Sequence, residues 1–131
     1  MIFLDTDIIS YYFNANIKIK EKLLEAIDNN NIICATVINI YEILKGLRWK
    51  NNKSKEKQFK FFLEDVIVFS IDDGVIEIAS DIYSNLRKKG KTIGDADILI
   101  AAIVIKNNGK LVTNNTSHYE DIELLNLINW I

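Results

Sequence analysis

Gly94-Asp95-Ala96-Asp97-Ile98-Leu99-Ile100-Ala101-Ala102 is the stretch on which the reading of this chain turns. Its polar groups are confined to one end, and the apolar run continues through Ile103-Val104-Ile105. Such a run, with two adjacent alanines, predicts a helix buried nearly all round. Burying a carboxylate against it is costly unless a charge or a hydrogen bond compensates. Asp95 can serve as the N-cap, accepting backbone N–H bonds. Asp97 is then left over, and what it faces is the question for the rest of the chain.

The bulk numbers set limits. With 131 residues the chain is expected to form one domain, spanning 1–131, with a real core. Hydrophobic residues make up 49% and charged residues 26%, a globular rather than a disordered composition. The net charge of -2 exerts no global pull on nucleic acid, so RNA binding would need a local basic patch. The one cysteine, Cys34, excludes an intramolecular disulfide and is expected as a buried core thiol. No basic-then-apolar leader opens the chain, and no unbroken apolar run reaches about 18 residues. The expectation is a soluble, cytoplasmic protein with no membrane contact. No function follows from the richness in Ile, Lys and Asn.

Taken in order, Ile2-Phe3-Leu4 predicts a short buried strand ending at Asp5, with a helix from about Ile8 to Phe13 capped within Asp5-Thr6-Asp7. Ile19, Leu23, Leu24 and Ile27 mark a helix over Ile17 to Asn29. Ile32-Ile33-Cys34 is a second strand, and Thr36 caps a helix running to about Leu47. A basic stretch from Asn51 to Lys57 opens a further helix, and Val66 to Phe69 is a third strand. Asp72 or Asp73 caps a long helix to Lys89. After the opening helix, which Asn107-Asn108-Gly109 ends, Lys110-Leu111-Val112-Thr113 is a fourth strand. A short helical stretch follows, and Ile128 to Ile131 is expected as an edge strand.

Short apolar strands alternating with helices define an α/β domain with a mainly parallel sheet. In such sheets ligands sit beyond the carboxyl ends of the strands. Asp5 ends the first strand and Asn114-Asn115 follows the fourth. A crossover helix runs antiparallel to its strands, so its N-terminus, carrying Asp97, lies at the same edge. Topology alone brings these positions together.

Each candidate also has a plain structural role open to it. Asp5 can cap the helix that follows, although Asp7 could fill that role. Asp97 sits in the first turn of a helix, where the macrodipole favours an anion. Glu42 is the only charge between Val37 and Leu44, yet Asn39, Glu42, Gly46 and Trp49 share a helical spacing that suits a solvated stripe. Glu42 also lies about 9 Å along the axis from Thr36 at ~1.5 Å per residue, so its helix must slant across the sheet rim to bring it to the edge. Asn115 suits a turn. The lone His118 is poor grounds for a zinc site and is expected at the surface or against a partner. Asp5, Glu42 and Asp97 together would repel unless a cation were present. All-oxygen donors suit Mg²⁺ or Mn²⁺, which can take phosphate oxygens as further ligands. The chain carries no phosphate-binding G-x-x-x-x-G-K-[ST] loop, no G-x-G-x-x-G and no G-x-S-x-G elbow.

Leu4-Asp5-Thr6-Asp7, Tyr41-Glu42-Ile43-Leu44-Lys45-Gly46, the opening stretch, and Leu111-Val112-Thr113-Asn114-Asn115 followed by Tyr119 and Asn129-Trp130 form an ordered set. In order, spacing and total length the chain resembles the PIN-domain family, and within it the VapC-type toxins of toxin–antitoxin pairs. The resemblance implies a PIN-like three-layer α/β/α domain with a central, mainly parallel sheet of four or five short strands. It implies a Mg²⁺-dependent endoribonuclease, with Mn²⁺ as a substitute, in which Asp5, Glu42 and Asp97 form the acidic triad. Asp5 and Asp97 are the implied direct metal ligands. Thr6 and Thr113 match small hydroxyl positions that help hold water or phosphate. Asn115 stands where the family often has a fourth acid, which puts a second metal in doubt. The implied partners are an RNA substrate, a small cognate antitoxin that blocks the acidic groove, and a second copy in a homodimer.

Two basic segments could track RNA phosphates around the acids: Lys45, Arg48 and Lys50 with the lysines that follow, and Arg87 and Lys88 with Lys89 and Lys91. Solvated helix surface accounts for lysines equally well. Two other classes compete with the nuclease. Asn115 prompts a catalytically silent PIN-like module that binds RNA or a partner. A phospho-receiver domain matches in size and α/β pattern, but neither an acceptor Asp after the third strand nor a Lys at a later strand end is present.

Overall fold

The computed structural model describes residues 1–131. Five short strands, β1 (Ile2–Leu4), β2 (Ile33–Thr36), β3 (Ile67–Phe69), β4 (Lys110–Val112) and β5 (Asn126–Ile128), pair in parallel in the order β3-β2-β1-β4-β5. Phe3 stands opposite Cys34 and Leu111, and Ile2 opposite Ile33 and Lys110. Side chains alternate across a pleated strand, so this register divides the apolar residues between two faces. Phe3, Cys34 and Leu111 enter one core with α5 (Asp73–Lys88) and α6 (Asp95–Lys106). Ile2, Leu4, Ile33, Ala35 and Val112 enter the other with α1 (Thr6–Phe13), α2 (Ile17–Asp28) and α4 (Lys53–Leu63). The result is a three-layer α/β/α arrangement, as expected. Cys34 is a fully buried free thiol. No helix is long and apolar enough to cross a membrane.

The helix α3 (Val37–Trp49) lies across the carboxyl rim. It gives Ile38 to one core and Ile40, Ile43, Leu44 and Leu47 to the other. A helix feeding both cores must straddle the sheet edge, and this is the slant that Glu42 required. Thr36 and Asn39 pin its start with a capping box: Asn39 N donates to Thr36 Oγ1 at 3.2 Å, and Thr36 N to Asn39 Oδ1 at 3.1 Å.

The opening helix is buried nearly all round, with Ile98 and every residue from Ile100 to Val104 inside. Its cap differs from the expectation. Gly94 is the N-cap, with no side-chain hydrogen bond, and Asp95 is the exposed first residue of the helix. Asp95 still meets the positive end of the helix dipole, but caps nothing. Other boundaries move as well. The helix α1 starts at Thr6 because Asp5 is its cap, accepting from Thr6 N at 2.9 Å. The edge strand ends at Ile128, beside Val112, because Trp130 turns in and buries against the α1 side. The helix α7 (Thr116–Tyr119) occupies a single turn.

The asparagines find a structural use. Asn16 and Asn52 cap helices through their side chains, while Asn30, Asn51 and Asn108 take positive φ just past helix ends. Asn108 therefore supplies the left-handed turn after α6. Gly109 is needed for space, since a Cβ there would lie 2.5 Å from the Phe3 ring.

Candidate active site at the carboxyl edge

Asp5 follows β1 and is 4% exposed. All its acceptor directions are used: Oδ1 takes Thr6 N at 2.9 Å and Asn39 Nδ2 at 3.3 Å, while Oδ2 takes Thr113 Oγ1 at 2.9 Å and Tyr119 Oη at 3.1 Å. Burial outweighs these donors and pushes the carboxyl up to about 6, with Asp7 adding like charge. Asp7 is itself raised by burial, although Ile8 N and Asn114 N both donate to it. It ties the start of α1 to the end of β4.

Asp97, in the first turn of α6, meets the same phenol: Tyr119 Oη lies 3.1 Å from Asp97 Oδ1. Its other oxygen lies 3.2 Å from His118 Nδ1. Tyr119 is fully buried, and burial followed by the charges of Asp5 and Asp97 pushes its hydroxyl far above the ordinary range. That phenol has one proton to donate and two carboxylates beside it. When both are ionised, that proton serves only one of them at a time. Carboxylate oxygens brought this close are hard donors of the kind that suits a divalent cation.

Glu42 stands one step back. Thr6 Oγ1 donates to Glu42 Oε1 at 2.7 Å and accepts from Asn39 Nδ2 at 3.1 Å, which links Glu42 to Asp5 through a hydroxyl and an amide. No three acidic, His or Cys side chains converge closely enough to form a cage by themselves. Thr6 and Thr113 are thus joined to the acids, each by its hydroxyl. Asn115 is exposed. Its backbone N donates to Thr113 Oγ1 at 3.0 Å, and its side chain makes no hydrogen bond.

Three participants were not legible as such. Asn39, read as part of a solvated stripe, is fully buried and donates to both Asp5 and Thr6. His118 is exposed as expected, but it sits against Asp97 rather than apart from the acids. Tyr119 had no assigned role. Its signals were its place after a strand end that already carried candidates and its part in the family resemblance.

Among the basic residues, Lys45 lies over the Tyr41 ring at 5.1 Å and Arg87 over Tyr83 at 5.9 Å. Arg48 pairs with Glu56 at 3.1 Å, which offsets its charge. Lys50 and Lys88 are exposed and make no ion pair. A cavity of about 630 Å³ between α2 and α4, with a mainly apolar lining, does not touch the acids. A smaller one of about 260 Å³ opens beside Thr6 and Glu42.

The parallel three-layer fold, with Asp5 and Asp97 at its carboxyl edge, agrees with the family match. The chain belongs to the PIN-domain family, whose model matches residues 2–122. Among its relatives is the Ribonuclease VapC2 of Rickettsia felis, 32% identical over 129 residues, which cover 97% of this chain and 96% of that one. The Ribonuclease VapC1 of Methanocaldococcus jannaschii is 30% identical, covering 93% of this chain and 81% of its own. Among solved structures, the VapBC2 complex of Rickettsia felis bound to a DNA fragment from its promoter superposes with a TM-score of 0.90 at 29% identity over the full length of both chains. VapBC-1 from nontypeable Haemophilus influenzae gives 0.87 at 26% identity, covering 99% and 98%.

Proposed function

We propose that this protein is a divalent-metal-dependent endoribonuclease of the VapC type, the toxin of a toxin–antitoxin pair acting in the cytoplasm. The observation that carries the reading is the meeting of Asp5 and Asp97 across one buried hydroxyl at the edge where α/β sheets place their chemistry. The ribonuclease names of its relatives and the toxin–antitoxin complexes among its structural neighbours support the same conclusion.

In this reading Asp5 and Asp97 hold Mg²⁺, for which Mn²⁺ substitutes. Held there, such an ion would supply Lewis acidity for phosphodiester hydrolysis by water. The protein's own part is positional. Thr113 and Asn39 fix the Asp5 carboxylate from either side, and His118 and Tyr119 fix Asp97. Glu42, turned toward the site by Thr6, is the third acid and orients the attacking water. Lys50 and Lys88, free of ion pairs, and Lys45 serve the RNA backbone. The partners are RNA, a small antitoxin and a second copy of this single-domain chain.

The test is RNA cleavage by purified protein with Mg²⁺ or Mn²⁺, stopped by EDTA and absent from Asp97→Asn prepared identically. The exposed, unengaged Asn115 favours one second reading, a PIN-like module that binds RNA or a partner without cutting. RNA binding with no cleavage in either metal would establish it.

A further inference from the structure

We propose that the cavity beside Glu42 is a subsite for one nucleotide of the substrate RNA, with Gly46 as its open wall and Lys50 at its mouth. The inference rests on the ribonuclease reading and assigns that site's substrate contact. The cavity shares Thr6 and Glu42 with the acidic site, so a strand crossing the acids passes directly into it. Its volume of about 260 Å³ lies just below the ~300–1,000 Å³ of pockets that take drug-sized ligands, which suits a single nucleoside.

Gly46 is the unexplained residue of this wall. It lies inside α3, where glycine is less favourable than alanine. Nothing structural requires it: its φ is not positive, and a Cβ there would meet no atom within 4 Å. The absent side chain leaves open space, and the space is the cavity. The surrounding chemistry suits a nucleotide. Ser10 offers a hydroxyl, Asn14 and Asn52 offer side-chain N–H groups while their oxygens accept from Lys55, and Phe13 offers an aromatic surface. Lys55 is already committed, donating to Phe13 O at 2.7 Å. Lys50 has no ion-pair partner, leaving its ammonium for a phosphate.

Gly46→Leu fills the cavity without touching an acid, and Gly46→Ala controls for helix propensity. The probe is a labelled RNA pool of random sequence, with Mg²⁺, across a range of RNA and salt concentrations. Gly46→Leu is expected to melt no lower than wild type, to raise KM about tenfold or more, and to change kcat little. Lys50→Ala is expected to raise KM and to reduce the log–log salt slope of binding by about one. An unchanged KM and cleavage pattern in a folded Gly46→Leu would overturn the subsite. So would a Gly46→Leu protein that cuts RNA normally but escapes its antitoxin, because the cavity would then hold peptide. Failure of wild type to cut RNA would instead overturn the ribonuclease reading.

Discussion

Asp5 and Asp97 meet across one phenol, with Tyr119 Oη 3.1 Å from each carboxylate. A single proton serves one of the two anions at a time, so Asp5 and Asp97 compete for it. Tyr119→Phe removes that donor and leaves the carboxylates facing an apolar edge. Without divalent ions at pH 7.5, the variant is expected to lose about 1–3 kcal/mol of stability. Saturating Mg²⁺ should recover much of the loss. Chemical denaturation with and without Mg²⁺ measures it, and an equal loss in both would show that the hydroxyl does not stand in for a cation.

The Asp5 carboxyl, pushed up to about 6 by burial, makes metal-free stability pH-dependent in a defined direction. Between its ordinary value of 3.8 and about 6 the folded state binds the proton more tightly than the unfolded chain. Its contribution is therefore greatest at low pH and is lost as pH rises through 6, a change on the order of 3 kcal/mol. Asp7, also raised by burial, acts in the same sense. Denaturation midpoints measured without metal between pH 4 and 7 should show the decline, and Asp5→Asn should reduce it. An undiminished decline in Asp5→Asn would assign it elsewhere.

Two glycines predict opposite signs for one substitution. Gly109→Ala drives a Cβ into the Phe3 ring and is expected to cost about 1–3 kcal/mol. Gly46→Ala adds a methyl to open space inside a helix and is expected to gain about 0.5–1 kcal/mol. Thermal denaturation of both variants checks the pair.

How much of this was legible depended on the range of the signal. Asp5 and Asp97 could be placed because a strand end and a crossover helix start define one sheet edge by topology. The α/β class with a parallel sheet followed from the strand–helix alternation, and the three layers from the family resemblance. Asn39 could not be placed, because its spacing with Glu42, Gly46 and Trp49 describes a helix face and not what covers it. A helix lying on one face of the sheet would leave that stripe in water. Because α3 straddles the rim, Asn39 is buried against Asp5, while Trp49 is 90% exposed. Tyr119 and His118 lie on a single turn too short to show a period, so only the folded chain shows where they point. Asp95 has the side chain of a cap for α6, but the chain turns one residue earlier, at Gly94.

The central claim is that Asp5 and Asp97 together hold the ion. Calorimetric titration of Mn²⁺ into wild type, Asp5→Asn, Asp97→Asn and Glu42→Gln tests it without reference to RNA. Saturable binding is expected for wild type, loss of it in both aspartate variants, and retention in Glu42→Gln, whose carboxylate reaches Asp5 only through Thr6 and Asn39. Wild-type affinity in a folded Asp97→Asn protein would contradict the account.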